Sequence, residues 1–384
     1  MLIEKLFLTQ FKNYKICSLS FSPKINFIVG NNGNGKTNLL EAISMLCFTK
    51  SFLLNSDDEC VMLGENYFNI RGEFNNLKHN RKSVQYNYDK SGSEKKILIN
   101  KELLSKYSEH IGTIPVVILS PKDIVLTTGS PSERRRNFDI LISQASPVYL
   151  DNLRKYSRTL KQKNSLLKES LQTDSLEKVV DGWNEKLAEY GSQIIKKRLQ
   201  FTSEMQILMD KIFPELVDNY QPIIKYVNEQ MDYENKSDEN LQSAFYECLK
   251  NNFRDEVSRK LSLAGIQRDD FQFSMIKNGE EFAIRNFASQ GEHKTFLIAL
   301  KLCEFEYLKG NLMRTTEEVP IMLFDDIFSE LDGSRISRFA KLVNRYGQVF
   351  ITTANNGTIM NFNNGGINES STIKVEYGAA SYAN

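Results

Sequence analysis

The eight residues Gly30-Asn31-Asn32-Gly33-Asn34-Gly35-Lys36-Thr37 constrain this chain more than any other stretch. They match G-x-x-x-x-G-K-[ST], and their flanks give the match its meaning. The run before them, Ile25-Asn26-Phe27-Ile28-Val29, has the length and β-branching of a buried strand. After them Leu39, Leu40, Ile43, Met45 and Leu46 recur at helical spacing. Strand, glycine-rich turn and helix is the arrangement in which backbone N–H groups and a helix N-terminus hold a phosphate. Side chains at the glycine positions would obstruct the curl of that backbone. In such a loop Lys36 reaches the β- and γ-phosphates and the Thr37 hydroxyl ligates Mg²⁺. Gly30, Asn31, Asn32, Gly33, Asn34, Gly35, Lys36, Thr37 and Asn38 are therefore the expected contacts of a nucleotide, ATP with Mg²⁺.

Two later stretches follow in the order such a site needs. Ser289-Gln290-Gly291 precedes a strongly apolar helical run over residues 295–307. It offers a hydroxyl, permissive backbone and a helix dipole, either as a second anion site or as an ordinary N-cap. Residues 319–324 read as an apolar strand ending in Asp325-Asp326. A carboxylate at that strand end, Asp325, suits contact with Mg²⁺, while Asp326 would orient the attacking water beside the γ-phosphate. The catalytic candidates are Asp326, Lys36 and Ser289, and the metal candidates are Thr37 and Asp325. Ser329-Glu330-Leu331-Asp332 reads as a turn, and residues 348–353 as a core strand ending in hydroxyls, a position suited to a γ-phosphate contact.

With 384 residues, 41% hydrophobic and 25% charged, the chain has room for two or three globular domains with full cores. Lys and Arg number 49 against 48 Asp and Glu, so any nucleic-acid contact must come from local patches. The five cysteines, Cys17, Cys47, Cys60, Cys248 and Cys303, are scattered and form no C-x-x-C pair, which predicts buried reduced thiols and no zinc site. The charged, short N-terminal stretch is not a signal peptide, and no run of 18 apolar residues follows; a cytosolic protein without a membrane partner is expected.

Alternation predicts an antiparallel strand pair over residues 2–11 and 17–21, around a polar break at 12–15, and a small antiparallel sheet within 67–100. The basic turn over 76–82 is either a solvated hairpin tip or a DNA contact. A second buried strand is expected at 114–119. The helix opened by Ser132-Glu133-Arg134-Arg135-Arg136 presents three arginines that either face phosphates or start a solvated helix. From about residue 141 the apolar spacing becomes helical. Leu187, Ile194, Phe201 and Leu208 fall seven apart, a coiled-coil seam, so two helices make an antiparallel arm of roughly 30 to 45 Å. Pro214, Pro222 and the polar stretch 231–240 mark looser structure before a return helix over 241–263.

The order of these blocks resembles the ABC-type ATPase heads of the SMC and RecF group of chromosome and repair proteins, with the nearer likeness to the RecF family. It is carried by GNNGNGKTNLLEAI at 30–43, LSPKDIVLTTGSPSERRRNFD at 119–139, Arg268-Asp269-Asp270, SQGEHKTFLIALKLCE at 289–304 and LFDDIFSELD at 323–332. The Gly-Ser-Pro-Ser-x-Arg-Arg-x-x-x-Asp motif is particular to RecF-type chains. The resemblance implies an α/β, P-loop ATPase head of ABC/SMC type assembled from both chain ends, 1–140 and 252–384, with an inserted α-helical, coiled-coil-like arm at 141–251. It further implies an ATP-dependent homodimer with two ATP molecules between heads, each meeting Lys36, Thr37 and Asp325 of one subunit and Ser289 of the other. Weak, DNA-dependent ATP hydrolysis would reset the switch. DNA, duplex and gapped or single-stranded at junctions, and the mediators RecR and RecO are the implied partners, in repair, replication and the response to DNA damage.

The sequence departs from the usual pattern at Gln267, where the family often has His, at Glu292-His293-Lys294 after Ser-Gln-Gly, and at Leu53, where Arg is frequent. Asp326 stands where many ABC heads have Glu, one methylene longer, and Thr353 where others place a His. His293 reads as a surface residue of its helix rather than a catalyst. Candidate DNA contacts are Arg134, Arg135, Arg136, Lys196, Lys197 and Arg198. The alternative function is an SMC-like or ABC-type switch with a protein rather than DNA partner. A transporter ATPase, a zinc-hook scaffold and a nuclease-linked ATPase fit less well: the insert looks like an arm, no C-x-x-C hook exists, and about 50 residues after Asp332 are too few for a further domain.

Overall fold

A computed structural model describes the chain except residues 55, 77–79, 170–172, 234–237, 314–317, 329–330, 355–358, 360–361, 363–369 and 383–384, and the side chains of 173–175 and 238–239. Ser329, Glu330, the tip of the basic turn at 77–79 and Gly357, Gly365 and Gly366 of the tail therefore lie outside the described residues. The chain divides into two compact units, Met1–Ile124 with Lys211–Asn219 and Ala288–Asn384, and Val125–Asp210 with Tyr220–Phe287. The first contains both chain ends.

Two six-stranded sheets build the first unit. One is antiparallel, in the order Tyr14–Ser20, Leu2–Phe11, Tyr67–Asn75, Arg81–Asp89, Glu94–Ile99, Glu102–Leu103. The other runs Ala379–Tyr382, Ser370–Glu376, Ile25–Val29, Val349–Thr353, Ile321–Phe324, Val116–Leu119, and is parallel except for its first strand. Its central strands bury every residue, as expected of parallel strands covered on both faces. The helix Lys36–Phe48 buries Leu39 through Cys47, and one core cluster joins it to strands of both sheets. A helix apolar on all sides is the consequence of packing between two layers. The first strand pair turns at Lys12-Asn13, a tighter hairpin than the polar run 12–15 suggests, because Tyr14 faces inward with no exposure.

The second unit holds the helices Pro131–Ala145, Pro147–Lys168, most of Thr173–Leu216, Asp238–Asn251 and Phe253–Arg259. The helix Thr173–Leu216 has 44 residues, about 66 Å at 1.5 Å per residue, and Pro214 lies inside its last turn without ending it earlier. The pairing of Arg198 with Tyr149 and the cluster of Leu167 with Leu176 and Val180 set it antiparallel to Pro147–Lys168. The unit is not helical alone. An antiparallel sheet, Glu280–Ala283, Asp270–Lys277, Gln221–Val227, stands where the prolines suggested irregular chain. Pro222 is tolerated because Gln221–Val227 is an edge strand.

The coiled-coil seam also gives way to a broader buried face. Ala188, Ile195, Arg198, Thr202, Met205 and Met209 are buried beside Leu187, Ile194 and Phe201, whereas Leu208 is only half-buried. Phe138, Phe201 and Phe271 meet at ring-centroid distances of 4.7 to 6.2 Å, so the long helix packs against the strand Asp270–Lys277 as well as against helices. The return helix is two helices broken at Asn252.

Candidate nucleotide site

The loop from Gly30 to Gly35 leaves the strand Ile25–Val29 at the carboxyl edge of the parallel sheet, where ligands of open α/β sheets bind. It is held from both sides. Asn13 Nδ2 donates to the Asn34 carbonyl at 2.8 Å, Asn13 Oδ1 accepts from Asn38 Nδ2 at 2.8 Å, and the Tyr14 hydroxyl donates to the Gly35 carbonyl at 3.0 Å. Opposite, Asn34 Nδ2 donates to the Val375 carbonyl at 3.1 Å. Gly35, at φ 109, has no room for a Cβ against the Asn13 side chain, and a Cβ on Gly30 would strike the Val375 carbonyl oxygen. Asn13 and Tyr14 escape sequence reading because a hairpin tip of Lys, Asn, Tyr and Lys looks like any polar turn.

Gly35 is the left-handed N-cap of the helix Lys36–Phe48 and supplies no side-chain cap, leaving the first-turn amides to an anion. The Lys36 ammonium donates to the carbonyls of Gly30 at 2.7 Å and Asn31 at 3.0 Å. Burial pulls its pKa down, and Asp326 and Asp325 pull it back up. Thr37 Oγ1 lies 2.9 Å from both Asp325 oxygens. Thr352, fully buried, donates to Asp325 Oδ1 at 2.7 Å and accepts from the Asp326 amide at 2.9 Å. Burial raises the Asp325 carboxyl pKa, and the hydroxyls of Thr352 and Thr37 oppose the rise. Asp326 itself sits at φ 47, in the left-handed region, with its amide held by Thr352.

These groups fit a nucleoside triphosphate with Mg²⁺. Hard oxygen donors from Thr37 and Asp325 converge within 3 Å of each other, a lysine stands beside them, and uncapped amides point the same way. Among the described residues no group of three or more His, Cys, Asp or Glu could hold a metal alone. A cation here would need phosphate oxygens to complete its shell, which is the habit of Mg²⁺. Thr352 contacts the Asp325 carboxylate and the Asp326 amide; two adjacent hydroxyls on a strand point to opposite faces, and sequence does not say which faces the site.

Ser289 is the N-cap of the helix Gln290–Leu312. Its Oγ accepts from the Glu292 amide at 3.3 Å, while Glu292 Oε2 accepts from the Ser289 amide at 2.7 Å. The Glu292 departure is thereby explained as the return arm of a capping box. Gln290 and Lys294 line a cavity of about 250 Å³ with Ser120, Pro121, Asp325 and Asp326; Ser289 and Gly291 do not line it. His293, expected at the surface, is buried, and burial lowers its pKa.

Other expectations also change. Arg134 neither faces phosphate nor starts a solvated helix: it is buried and paired bidentately with Asp270 at 2.8 and 2.9 Å. Arg135 donates to the Asp269 carbonyl, and Arg198, 1% exposed, is paired with Asp139 and Asp269. Asp269 also accepts from Tyr226, Tyr233 and Asn228, so this part of the expected basic surface is an internal network. Arg136 and Lys196 remain exposed. Gln267 links Tyr156 to the Ala264 carbonyl. All five cysteines are free thiols, and no described helix is long and apolar enough to cross a membrane.

The family described as RecF/RecN/SMC N terminal domain matches residues 2–367. A protein named DNA replication and repair protein RecF from Cytophaga hutchinsonii is 39% identical over 361 residues, covering 92% of this chain and 89% of its own. The chain belongs to the RecF family. The RecF of Ligilactobacillus salivarius is 32% identical and covers 98% of this chain and 100% of its own. Among solved structures, one described as the recombination mediator protein RecF with ATP in the RecFOR pathway matches at a TM-score of 0.86 and 30% identity. It spans 100% of this chain and 98% of that one. An SMC head bound to the C-winged helix domain of ScpA, 16% identical with a TM-score of 0.60, shares the fold. The fold is thus that of the RecF and SMC ATPase heads.

Proposed function

We propose that this RecF-family chain is an ATP-driven switch in DNA repair and replication. Lys36, Thr37, Asp325 and the loop from Gly30 to Asn38 hold ATP with Mg²⁺, and Asp326 orients the attacking water. Ser289, Gln290 and Gly291 of a second copy close the site from the opposite side, where a capped but dipole-bearing helix N-terminus meets the γ-phosphate. The closed dimer binds duplex DNA at gaps or single-strand junctions and works with RecR and RecO in the cytoplasm to place recombinase; hydrolysis reopens it. Asp326 reaches one methylene less far than Glu would, which favours slow turnover and a long-lived closed state. A weak, DNA-stimulated ATPase is the expected activity.

The observation that carries this reading is the convergence of Thr37, Asp325, Thr352 and Lys36 on one uncapped helix N-terminus. The test is fluorescence anisotropy of a labelled gapped duplex with and without ATP and Mg²⁺, for wild type and Lys36→Ala. ATP should strengthen binding by wild type, with affinity falling steeply as salt rises, and leave Lys36→Ala unchanged. Wild-type affinity indifferent to ATP would instead favour a protein partner for the switch.

A further inference from the structure

The hairpin near the end of the chain carries an aromatic ring that the fold does not use. Strands Ser370–Glu376 and Ala379–Tyr382 pair with Glu376 opposite Ala379, so Tyr377 and Gly378 form the whole turn. Their φ angles, 48 and 78, are those of a type I′ turn, which favours Asn-Gly, Asp-Gly or Gly-Gly. Gly378 is required, since a Cβ there would strike the Asn13 carbonyl oxygen. Tyrosine at 377 is not required. Left-handed backbone is unfavourable for so bulky a residue, and the side chain is 94% exposed, returning no packing. A strained residue whose ring faces outward points to a ligand.

The sheet fixes what lies before that ring. The turn follows a strand parallel to Ile25–Val29 and so lies at the same carboxyl edge as the phosphate loop. The two touch: the Gly378 amide donates to the Asn34 carbonyl at 3.3 Å. Asp325, Asp326 and Thr352 follow or end strands on the other side of Ile25–Val29. A triphosphate whose terminal phosphate faces those carboxylates therefore directs its nucleoside toward the Asn13 tip and Tyr377. We infer that the Tyr377 ring stacks on the base of the bound nucleotide, an assignment that rests on the ATP reading above. Stacking uses the π-face alone, so the contact favours purines without reading their edges.

Isothermal titration of the full chain with Mg-ATP and with Mg-tripolyphosphate, for wild type, Tyr377→Asn and Tyr377→Phe, tests the assignment. Tyr377→Asn should weaken ATP about tenfold and leave tripolyphosphate unchanged, while Tyr377→Phe keeps wild-type affinity for both. Asparagine accepts the left-handed turn more readily, so the same variant should melt roughly 2 °C higher without nucleotide. Equal ATP affinity of Tyr377→Asn and wild type, or parallel loss of ATP and tripolyphosphate, would overturn the stacking role. Wild type binding neither ligand would sink the ATP reading itself, and the subsite with it.

Discussion

Replacing Thr352 by valine keeps the shape of a fully buried side chain and removes one oxygen that serves two partners. Thr352 Oγ1 donates to Asp325 at 2.7 Å and accepts from the Asp326 amide at 2.9 Å. A hydrogen bond to a charged acceptor contributes about 1.5–3 kcal/mol, and an orphaned buried amide costs about 1–3 kcal/mol. The exchange of a hydroxyl for a methyl in an apolar setting returns part of this, so the net loss should be about 2–4 kcal/mol. At about 2–4 °C per kcal/mol for a unit of this size, the melting temperature without nucleotide should fall by roughly 5–15 °C. The Asp326 peptide also loses the anchor that holds it at φ 47. ATP turnover should then fall about 10- to 100-fold, with KM changing much less, if the lost interaction aligns the carboxylate proposed to orient the water rather than binding substrate. Thr352→Ser keeps the oxygen and should lose only about 1 kcal/mol for its missing methyl. Differential scanning fluorimetry with steady-state ATPase assays reads both effects. Thr352→Val that melts and turns over like wild type would refute the bridging role of this hydroxyl.

Two further outcomes concern the interior. Lys163 and Glu256 form a fully buried ion pair at 2.7 Å, and burial lowers the lysine pKa. Lys163→Met leaves the buried Glu256 carboxylate without its counter-charge, though Ser262 and the Leu263 amide still donate to it, and should destabilise by about 3–5 kcal/mol, while adding Glu256→Gln should recover most of the loss. Denaturant midpoints followed by Trp183, the chain's sole tryptophan and part of the same unit, would show it; a double variant no better than the single would contradict the pairing energetics. The thiols give a second check. Burial pushes Cys17 up to about 11 and Cys60 to about 12, raises Cys47 further, and leaves Cys248 the least buried of the five. An aromatic disulfide reagent at pH 8 should therefore label at most one thiol of the native protein within minutes, and all five after unfolding. Rapid labelling of two or more would contradict the packing of the first unit.

What sequence discloses here depends on whether a residue's role is local. The phosphate loop, its strand and its helix are contiguous, so residues 25–48 are legible from spacing alone. Ser289 as a helix cap is equally local, and Glu292 three residues on completes its pattern. Contacts made between separate elements leave no such trace. Thr37 with Asp325, Asn34 with Val375 and Asn13 with Asn34 are products of topology, and only the first is suggested by motif order. Charge misleads most in the second unit. Arg134, Arg198 and Lys163 look like surface groups because burial of a cation depends on partners, Asp270, Asp139 and Glu256, that sequence cannot place beside them. The same buried Lys163 and Thr159 interrupt the apolar stripe of Pro147–Lys168 and make its packed face look polar. The strand Gln221–Val227 is masked by Pro222, whose edge position only the sheet reveals.

The closing of two heads on ATP is tested most directly by sedimentation velocity of wild type, Ser289→Arg and Ser289→Thr, with and without ATP and Mg²⁺. Arginine supplies no acceptor for the Glu292 amide and would cost about 1 kcal/mol of cap as well as crowding the opposite subunit's nucleotide; threonine keeps the cap and isolates the second effect. ATP should convert wild type and Ser289→Thr from monomer to dimer and leave Ser289→Arg monomeric while it still binds ATP. A sedimentation coefficient that ignores ATP in wild type, or Ser289→Arg dimerising as readily as wild type, would contradict a nucleotide held between two heads.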